Sequence, residues 1–210
     1  MKNTLHNSTP GGNKLETPLY GLILSGGKSS RMGMDKATLD YHGKPQSEFL
    51  YELVKGYCDR TFLSIRKEQL ADVSADFPYI LDNDEYRGPF NGLLSAHLLF
   101  PEVAWMVFAC DLPLLDTKTI ELLVHNRDAK KDATALATRE SGLPEPLAAI
   151  WEPKGLQKAM DYLKTSTSSC PRKFLINSDI HLLFPKDDKV LTNANSLDEY
   201  KQIKQTLETN

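Results

Sequence analysis

The sequence predicts a single-domain α/β fold in which helices cover a mostly parallel sheet. Short apolar runs typical of buried strands, such as 19–24 and 61–65, alternate with stretches whose apolar residues recur at helical spacing. The first two such runs enclose one helical stretch, so the three elements form a βαβ unit with parallel strands and a right-handed crossover. At 210 residues, the chain is long enough for one hydrophobic core.

The remaining elements follow in order along the chain. Pro45 suits the start of a helix, and the apolar residues after it lie on one helical face. The most apolar run, 105–110, should be a central strand, and Asp116 or Thr117 should cap the helix after it. Further strands are expected at 78–81, 133–138, 180–184 and 190–191, and further helices at 153–163 and after a capping box of Ser196 with Glu199.

Composition narrows the possible functions. The net charge of −3 argues against a nucleic-acid-binding protein, which would normally carry a basic patch. No apolar run approaches the length that spans a membrane, so we expect no membrane partner. The three cysteines are scattered without paired spacing, which indicates reduced thiols and a cytoplasmic location.

The beginning of the chain differs in character from the rest. Residues 1–17 are polar, contain Pro10-Gly11-Gly12 and lack the apolar core of a signal peptide. We expect residues 1–17 to be a disordered leader and residues 18–210 to form the domain.

The most informative stretch follows the first strand. Ser25-Gly26-Gly27 ends the apolar run, and its two glycines leave no Cβ in the way of a ligand. The cations Arg31 and Lys36 come next. Backbone N–H groups would meet phosphate oxygens while the cations offset their charge, so the stretch predicts a site for a polyphosphate.

Two familiar phosphate loops do not match this stretch. Gly27-Lys28-Ser29 looks like the end of a P-loop, but the leading glycine would have to be residue 22, which is a leucine. There is no G-x-G-x-x-G fingerprint of a dinucleotide site either. The stretch from Leu24 to Lys36 instead resembles L-x-G-G-x-S-x-R-M-G-x-D-K, the signature loop of the molybdenum cofactor guanylyltransferases.

Two aspartates are expected just beyond the carboxyl ends of strands, the edge at which open α/β sheets bind ligands. Asp82 follows the run 78–81, where the alternative is an ordinary turn carboxylate. Asp111 follows the most apolar run of the chain, where an unpaired charge would be costly. Mg²⁺ bridging to phosphates is a natural partner, because it is usually held by one or two carboxylates, phosphate oxygens and waters.

Later segments resemble motifs of the same family in the same order. The segment Gly88-Pro-Phe-Asn-Gly92-Leu is similar to a loop that packs against the nucleotide base, and Cys110-Asp111-Leu-Pro to a motif whose aspartate binds the metal. The run Pro144 to Trp151 is similar to a strand that follows a loop on the substrate side, and Asn193-Ala-Asn195 to an ending at the active-site edge. The resemblance implies a three-layer α/β/α, Rossmann-like nucleotidyltransferase fold.

The resemblance also implies a reaction, transfer of GMP from GTP to the terminal phosphate of molybdopterin-bound molybdenum with release of pyrophosphate. A phosphate monoester is already anionic near neutral pH, so the acceptor requires no general base. Catalysis then consists of charge neutralisation and positioning. In this reading, the nucleotide is held by Leu24, Ser25, Gly26 and Gly27. The triphosphate is bound by Arg31 and Lys36. Asp82 contacts guanine or ribose, and Asp111 holds Mg²⁺.

Some positions depart from the family or leave alternatives open. Ser25 stands where the family usually has alanine, and Ser64 where some members place a nucleotide-contacting asparagine. Arg172, with Lys173, either contacts the anionic acceptor or lies in a solvated turn. Asn193 and Asn195 either lie at the acceptor or only shape a turn.

Other functions on the same fold also remain open. The Gly26-Gly27 pair favours the guanylyl branch, because related cytidylyl and sugar-nucleotide enzymes more often read L-A-A-G. One alternative is a nucleotidyltransferase that uses CTP or UTP with a molybdopterin or sugar-phosphate acceptor. Another is a GTP-binding adaptor in cofactor delivery that does not turn over. In the guanylyl reading, partner proteins that deliver molybdopterin, and molybdoenzymes that receive the product, are further expected partners.

Overall fold

The computed structural model describes residues 17–25 and 36–208, which contain one seven-stranded sheet. Its strands are β1 (Leu19–Leu24), β2 (Arg60–Ile65), β3 (Tyr79–Leu81), β4 (Ala104–Ala109), β5 (Ala133–Ala137), β6 (Pro144–Trp151) and β7 (Ile180–Leu183). They lie in the order β3-β2-β1-β4-β6-β5-β7. Only β6 runs antiparallel to its neighbours, so the predicted mostly parallel sheet is confirmed.

Helices cover both faces of this sheet. Within the described residues they are α1 (Gln46–Val54), α2 (Phe90–Leu99), α3 (Thr117–His125), α4 (Pro153–Thr165), α5 (Pro171–Ile176) and α6 (Leu197–Glu208). Apolar residues of α1 and α3 belong to the core on one face, and those of α2, α4 and α5 to the core on the other. The three-layer α/β/α architecture is therefore confirmed. None of the described helices is both long and apolar enough to cross a membrane.

Strand β4 lies at the centre of the molecule. All its residues are buried, and they alternate between the two cores, with Met106 and Phe108 on one face and Trp105 and Val107 on the other. This alternation follows from the period of two in a β-strand. The continuous apolar run in the sequence therefore reflects burial on both faces.

Two short segments differ from the sequence expectation. Residues 190–191, expected to be strand-like, lie in the 3₁₀ helix Asp188–Leu191, whose start is capped by the Asp187 side chain accepting from the Lys189 N–H. Residues 171–176 form α5 rather than a solvated turn. Helix α5 forms because Pro171 suits the first helical position and because Phe174 and Leu175 enter the core.

A buried ion pair joins the end of α3 to the start of α4. The Nε and Nη2 groups of Arg127 donate to the two carboxylate oxygens of Glu152 at 2.7 and 2.9 Å, and Nη1 donates to the Thr17 carbonyl oxygen at 3.0 Å. The Glu152 side chain is 2% exposed and that of Arg127 16%. Arg127 therefore supplies a counter-charge and two hydrogen bonds to a carboxylate that has almost no access to water.

We expect the substitution Arg127→Ala to lower the free energy of unfolding by about 3–5 kcal/mol, because it leaves the buried Glu152 carboxylate without its counter-charge. Urea unfolding followed by circular dichroism measures the change. The control is Lys164→Ala, which removes an ion pair with Asp161 in which both side chains are more than half exposed. Equal unfolding midpoints for the two variants would contradict a structural role for Arg127.

Candidate active site

The strand order places a crevice between the carboxyl ends of β1 and β4. Strand β2, which follows β1 in the chain, lies on one side of β1, and β4 lies on its other side. Ligands of open α/β sheets bind at the point where the strand order reverses in this way. Leu24 ends β1, and the Cys110 N–H donates to its carbonyl oxygen at 3.3 Å. Asp111 is the next residue, so the structure brings Leu24, Ser25 and Asp111 to one place.

Part of the signature loop, defined as residues 24–36, is not covered. The predicted residues Gly26, Gly27 and Arg31 lie outside the described residues, and for Lys36 the structure describes only the backbone, which begins a 3₁₀ helix. Ser25 is buried, and its N–H donates to the Ser64 carbonyl oxygen at 3.0 Å. The Ser25 carbonyl oxygen accepts from Nε2 of Gln69 at 3.1 Å, so the start of the loop is fixed against the end of β2.

Asp82 directly follows β3, and its carboxylate is held by Ser64. The Oγ of Ser64 donates to Oδ1 of Asp82 at 2.6 Å. Burial raises the pKa of Asp82, while the Ser64 hydrogen bond and the Arg66 charge lower it and the Asp84 charge raises it. Ser64 is itself 1% exposed. It therefore has no surface for a nucleotide and supports Asp82 instead, a role that the sequence analysis missed.

Gly92, at the start of α2, allows the segment from Gly88 to Leu93, called here the second motif, to approach Ser64 and Asp82. A Cβ at this position would lie 2.3 Å from Oγ of Ser64, 2.9 Å from Cδ2 of Leu24 and 3.2 Å from Oδ1 of Asp82. Real Cβ atoms essentially never come within 3.0 Å of another heavy atom. Glycine therefore lets this turn of the helix approach the ends of β1, β2 and β3 without displacing the Ser64 and Leu24 side chains.

The loop between β3 and α2 has a shape defined by its own polar side chains. The Ser95 hydroxyl accepts from the Asn83 N–H at 3.0 Å, and the side-chain oxygen of Asn91 accepts from the Tyr86 N–H at 3.2 Å. Asp84 and Gly88 adopt positive φ angles of 58° and 64°, which aspartate tolerates and glycine adopts freely. The shape of the loop that carries Asp82 is thus defined by its own hydrogen bonds and backbone angles.

On the other side of β4, Glu145 and Arg172 form an ion pair at the same sheet edge. Because β6 is antiparallel, its first residues lie where the other strands end. The Nη2 of Arg172 donates to the Glu145 carboxylate, and its Nε donates to the Pro144 carbonyl oxygen at 3.1 Å. Burial raises the pKa of Glu145, Arg172 lowers it, and the nearby negative charge of Asp111 raises it. The structure therefore brings Arg172 and Asp111 to the same side of the molecule.

A groove of about 440 Å³ lies beside this ion pair. It is lined by the second motif, the start of β6 and the segment before α5, at Gly88, Pro89, Pro146, Leu147 and 168–172. Its volume lies within the range of small-molecule sites, roughly 300–1,000 Å³. The Arg172 side chain in its wall is 45% exposed and can meet an anion.

The segment before α6 contacts the loop between β4 and α3, residues 110–116, which is called here the Asp111 loop. The Ala194 N–H donates to the backbone carbonyl oxygen of Asp111 at 2.9 Å, and Asn193 and Asn195 flank Ala194. The predicted capping box is confirmed, because the Glu199 carboxylate accepts from the Ser196 N–H at 2.9 Å and the Ser196 hydroxyl accepts from the Glu199 N–H at 3.2 Å. The two asparagines thus lie at the sheet edge that carries Asp111.

Asp111 fits a metal that arrives with its substrate. Among the described residues no cluster of three or more His, Cys, Asp or Glu side chains could hold a metal ion. Mg²⁺ commonly takes one or two carboxylates from a protein and completes its shell with phosphate oxygens and waters. A half-buried carboxylate at an open sheet edge is a ligand of this kind.

The fold and the position of this site define the class of α/β nucleotidyltransferases. Residues 21–180 match the family described as the MobA-like NTP transferase domain, and the chain belongs to this family. Among solved structures, molybdopterin-guanine dinucleotide biosynthesis protein A from Archaeoglobus fulgidus superposes with a TM-score of 0.74 at 20% identity, covering 91% of this chain and 100% of the other.

Two curated relatives show the similarity in sequence. The molybdenum cofactor biosynthesis bifunctional protein of Synechocystis sp. is 36% identical over 189 residues, which cover 90% of this chain and 54% of that protein. The chain thus spans about half the length of that relative. A molybdenum cofactor guanylyltransferase of Pseudomonas putida is 30% identical over 190 residues, which cover 84% of this chain and 93% of that enzyme.

Proposed function

We propose that this protein transfers GMP from GTP to molybdenum-bound molybdopterin, forms the guanine dinucleotide form of the cofactor and releases pyrophosphate. The observation that carries this proposal is a MobA-like fold in which the end of β1 at Leu24 lies beside the turn of Asp111 on one side and, across Gly92, near Asp82 on the other. The guanylyltransferase of Pseudomonas putida supports the same reaction by its sequence similarity.

Asp82 suits the recognition of guanine. Guanine presents two adjacent donors, N1–H and the exocyclic N2–H₂, and an ionised carboxylate offers two acceptors to match them. Uracil has a single N–H flanked by acceptors, and the cytosine and adenine edges combine an acceptor with a donor. Ser64 holds one carboxylate oxygen in place, and Gly92 lets the helix start approach this pair without displacing the Ser64 hydroxyl.

We expect GTP affinity to fall as the pH is lowered through the pKa of Asp82, because only the ionised carboxylate accepts both guanine donors. Burial raises this pKa above its ordinary value of 3.8, so the fall begins at a higher pH than for an exposed aspartate. The Ser64 hydrogen bond, which lowers the pKa, is lost in Ser64→Ala, and the midpoint moves to a still higher pH.

Calorimetric titration of GTP across pH for the wild type and Ser64→Ala measures this shift. The phosphates of GTP titrate identically with both proteins, so a difference between the two midpoints reports the protein. Identical midpoints would exclude Asp82 as the titrating contact.

The triphosphate and the acceptor are assigned to opposite sides of Asp111. Backbone groups of Leu24, Ser25, Gly26 and Gly27, together with Arg31 and Lys36, bind the triphosphate in this proposal, on the strength of the sequence. Mg²⁺ on Asp111 would act as a Lewis acid toward phosphate oxygens. The acceptor would occupy the groove, where Arg172 meets its anionic phosphate and Asn193 and Asn195 line the approach.

The setting of the reaction is part of the same proposal. The three cysteines of the chain are all free thiols, which supports the cytoplasmic location expected from the sequence. Partner proteins that hand over molybdopterin and receive the product would meet the groove side of the molecule. Residues 1–17 are proposed as a leader to the domain formed by residues 18–210, although the last of them, Thr17, contacts that domain through the hydrogen bond from Arg127 to its carbonyl oxygen.

Nucleotide binding by calorimetry tests the proposal most directly. GTP, CTP, UTP and ATP are titrated with and without Mg²⁺, and GTP is expected to bind selectively and more tightly with Mg²⁺. A preference for CTP or UTP would retain the fold and the mechanism but overturn the guanylyl assignment. Release of pyrophosphate from GTP on addition of molybdenum-bound molybdopterin then separates an enzyme from a GTP-binding adaptor.

A further inference from the structure

The loop that carries Asp111 is held by two segments from elsewhere in the chain. Three consecutive backbone carbonyl oxygens accept hydrogen bonds from outside the loop. The Asp111 oxygen accepts from the Ala194 N–H at 2.9 Å, the Leu112 oxygen from Nε2 of Gln46 at 3.3 Å, and the Pro113 oxygen pairs with Nε2 of His42 at 2.9 Å. Two of these three contacts come from side chains of one segment, residues 42–46.

Hydrogen bonds within the loop are longer than the contacts from Ala194 and His42 and similar in length to the contact from Gln46. The Leu112 N–H lies 3.3 Å from the Ala109 oxygen, and the Leu115 N–H lies 3.4 Å from the Leu112 oxygen. Strong N–H···O bonds are usually 2.7–3.2 Å long, at about 2.9 Å for most. The backbone bonds of the turn itself are therefore weak, and its shortest contacts are those from Ala194 and His42, to which Gln46 adds a third.

The His42 contact has a defined chemistry. A proline carbonyl can only accept, so Nε2 of His42 must carry the hydrogen. The imidazole also stacks on the ring of Phe49, with centroids 3.7 Å apart and planes at 13°. The ring is thus fixed on its face by α1 and directs its N–H at the Asp111 loop.

Burying the Gln46 amide destabilises the fold, whereas an apolar side chain of similar size would not. Gln46 is fully buried, and within the described part of the chain its side-chain oxygen has no hydrogen-bond partner. An unpartnered buried amide oxygen is destabilising, and a leucine at this position would avoid it. The amide group contributes one contact, the hydrogen bond to the Leu112 oxygen.

We propose that His42 and Gln46 are positioning residues that hold the Asp111 loop for a metal bound with the nucleotide. Both belong to the segment that directly continues the signature loop, so this segment joins the predicted triphosphate site to the carboxylate of Asp111. The inference rests on the proposed role of Asp111 as the metal ligand. Neither side chain touches substrate in this role, and both act through the backbone of residues 112–113.

The test compares GTP affinity with and without Mg²⁺ in His42→Phe and Gln46→Leu. His42→Phe keeps a ring on Phe49 but removes the donor, and Gln46→Leu keeps the volume but removes the amide. Each is expected to reduce the gain in GTP affinity on adding Mg²⁺ by about fivefold, the effect of one lost hydrogen bond, while affinity without Mg²⁺ stays unchanged. His42→Gln, whose amide nitrogen replaces Nε2, is expected to restore the gain.

Tyr57→Phe is the matched control, because it removes a long-range side-chain hydrogen bond, to Glu121 at 3.2 Å, away from the Asp111 loop. Its gain in affinity on adding Mg²⁺ should equal that of the wild type. A gain in His42→Phe and Gln46→Leu equal to that of the wild type would overturn the inference. So would an equal loss in Tyr57→Phe.

Hydrogen exchange of the peptide 109–116, measured without nucleotide or metal, tests the positioning role independently. We expect faster exchange in His42→Phe and Gln46→Leu than in the wild type and Tyr57→Phe, with thermal unfolding little changed. Unchanged exchange would overturn the inference even if GTP binding is as proposed. If the wild type binds no GTP, the proposed function fails. Faster exchange in His42→Phe and Gln46→Leu would even then support the role of these two residues in holding the Asp111 loop.

Discussion

Replacing Asp111 with asparagine is expected to lower the rate of GMP transfer by about 10²–10³. The substitution keeps the size of the side chain and removes the charge that would hold Mg²⁺ against the triphosphate. The fold should be retained, because the contact from Ala194 is made to the backbone oxygen of Asp111 and not to its carboxylate. Single-turnover transfer from labelled GTP to molybdenum-bound molybdopterin measures the rate.

Asp116→Asn serves as the matched control for this experiment. Asp116 lies five residues further along and caps α3 through the Thr119 N–H at 2.8 Å, a role that asparagine also fills. Its transfer rate should equal that of the wild type. A second readout is the pKa of Glu145, which should fall in Asp111→Asn because the charge that raises it is gone. An unimpaired rate in Asp111→Asn would place the metal on another residue.

The substitution Gly92→Ala is expected to weaken GTP binding by roughly five- to 150-fold, the effect of overpacking a tight site by about 1–3 kcal/mol. The added methyl group would lie 2.3 Å from the Ser64 hydroxyl and 3.2 Å from the Asp82 carboxylate, so the hydroxyl must turn away and the carboxylate loses its donor. Calorimetric titration of GTP measures the loss.

Gly56→Ala is the control for this change, because nothing lies within 4 Å of a Cβ at that position. A double variant adds a sharper criterion. Ser64→Ala removes the atom that Gly92→Ala meets first, so the two losses in binding free energy should sum to more than the loss in the double variant. Full additivity would mean that Gly92 acts on the nucleotide by some route other than Ser64.

The central elements of the fold could be predicted because their sequences contain the relevant signal. Strand β4 is apolar at every position since both its faces are buried, and a βαβ unit implies parallel strands. The antiparallel direction of β6 could not be predicted, because a strand buried in this way has the same pattern whichever way it runs. Helix α5 was missed because Arg172 and Lys173 suggested a turn, although Pro171 gave a usable signal.

The candidate site, like the fold, could be predicted only in part. Asp82 and Asp111 were predictable, since each follows an apolar run at the carboxyl end of a strand. Their partners were not, because contacts such as Ser64 with Asp82 depend on the register of β2 against β3, in which Ser64 lies beside Ile80. The Ser64 hydroxyl, within the otherwise apolar run 62–65, was the one feature of the sequence that indicated a polar partner nearby. Nothing local connects His42 with Pro113, which are 71 residues apart.

The order of the strands also bears on how such enzymes diversify. The residues assigned to the nucleotide all precede β4, whereas the groove assigned to the acceptor is built from residues after β4, except for Gly88 and Pro89. Under the proposed assignments, base choice and acceptor choice would be encoded in successive stretches of one gene, separated by the strand that leads to Asp111. A single recombination event near β4 would pair an existing nucleotide preference with a new acceptor and leave the metal ligand in place.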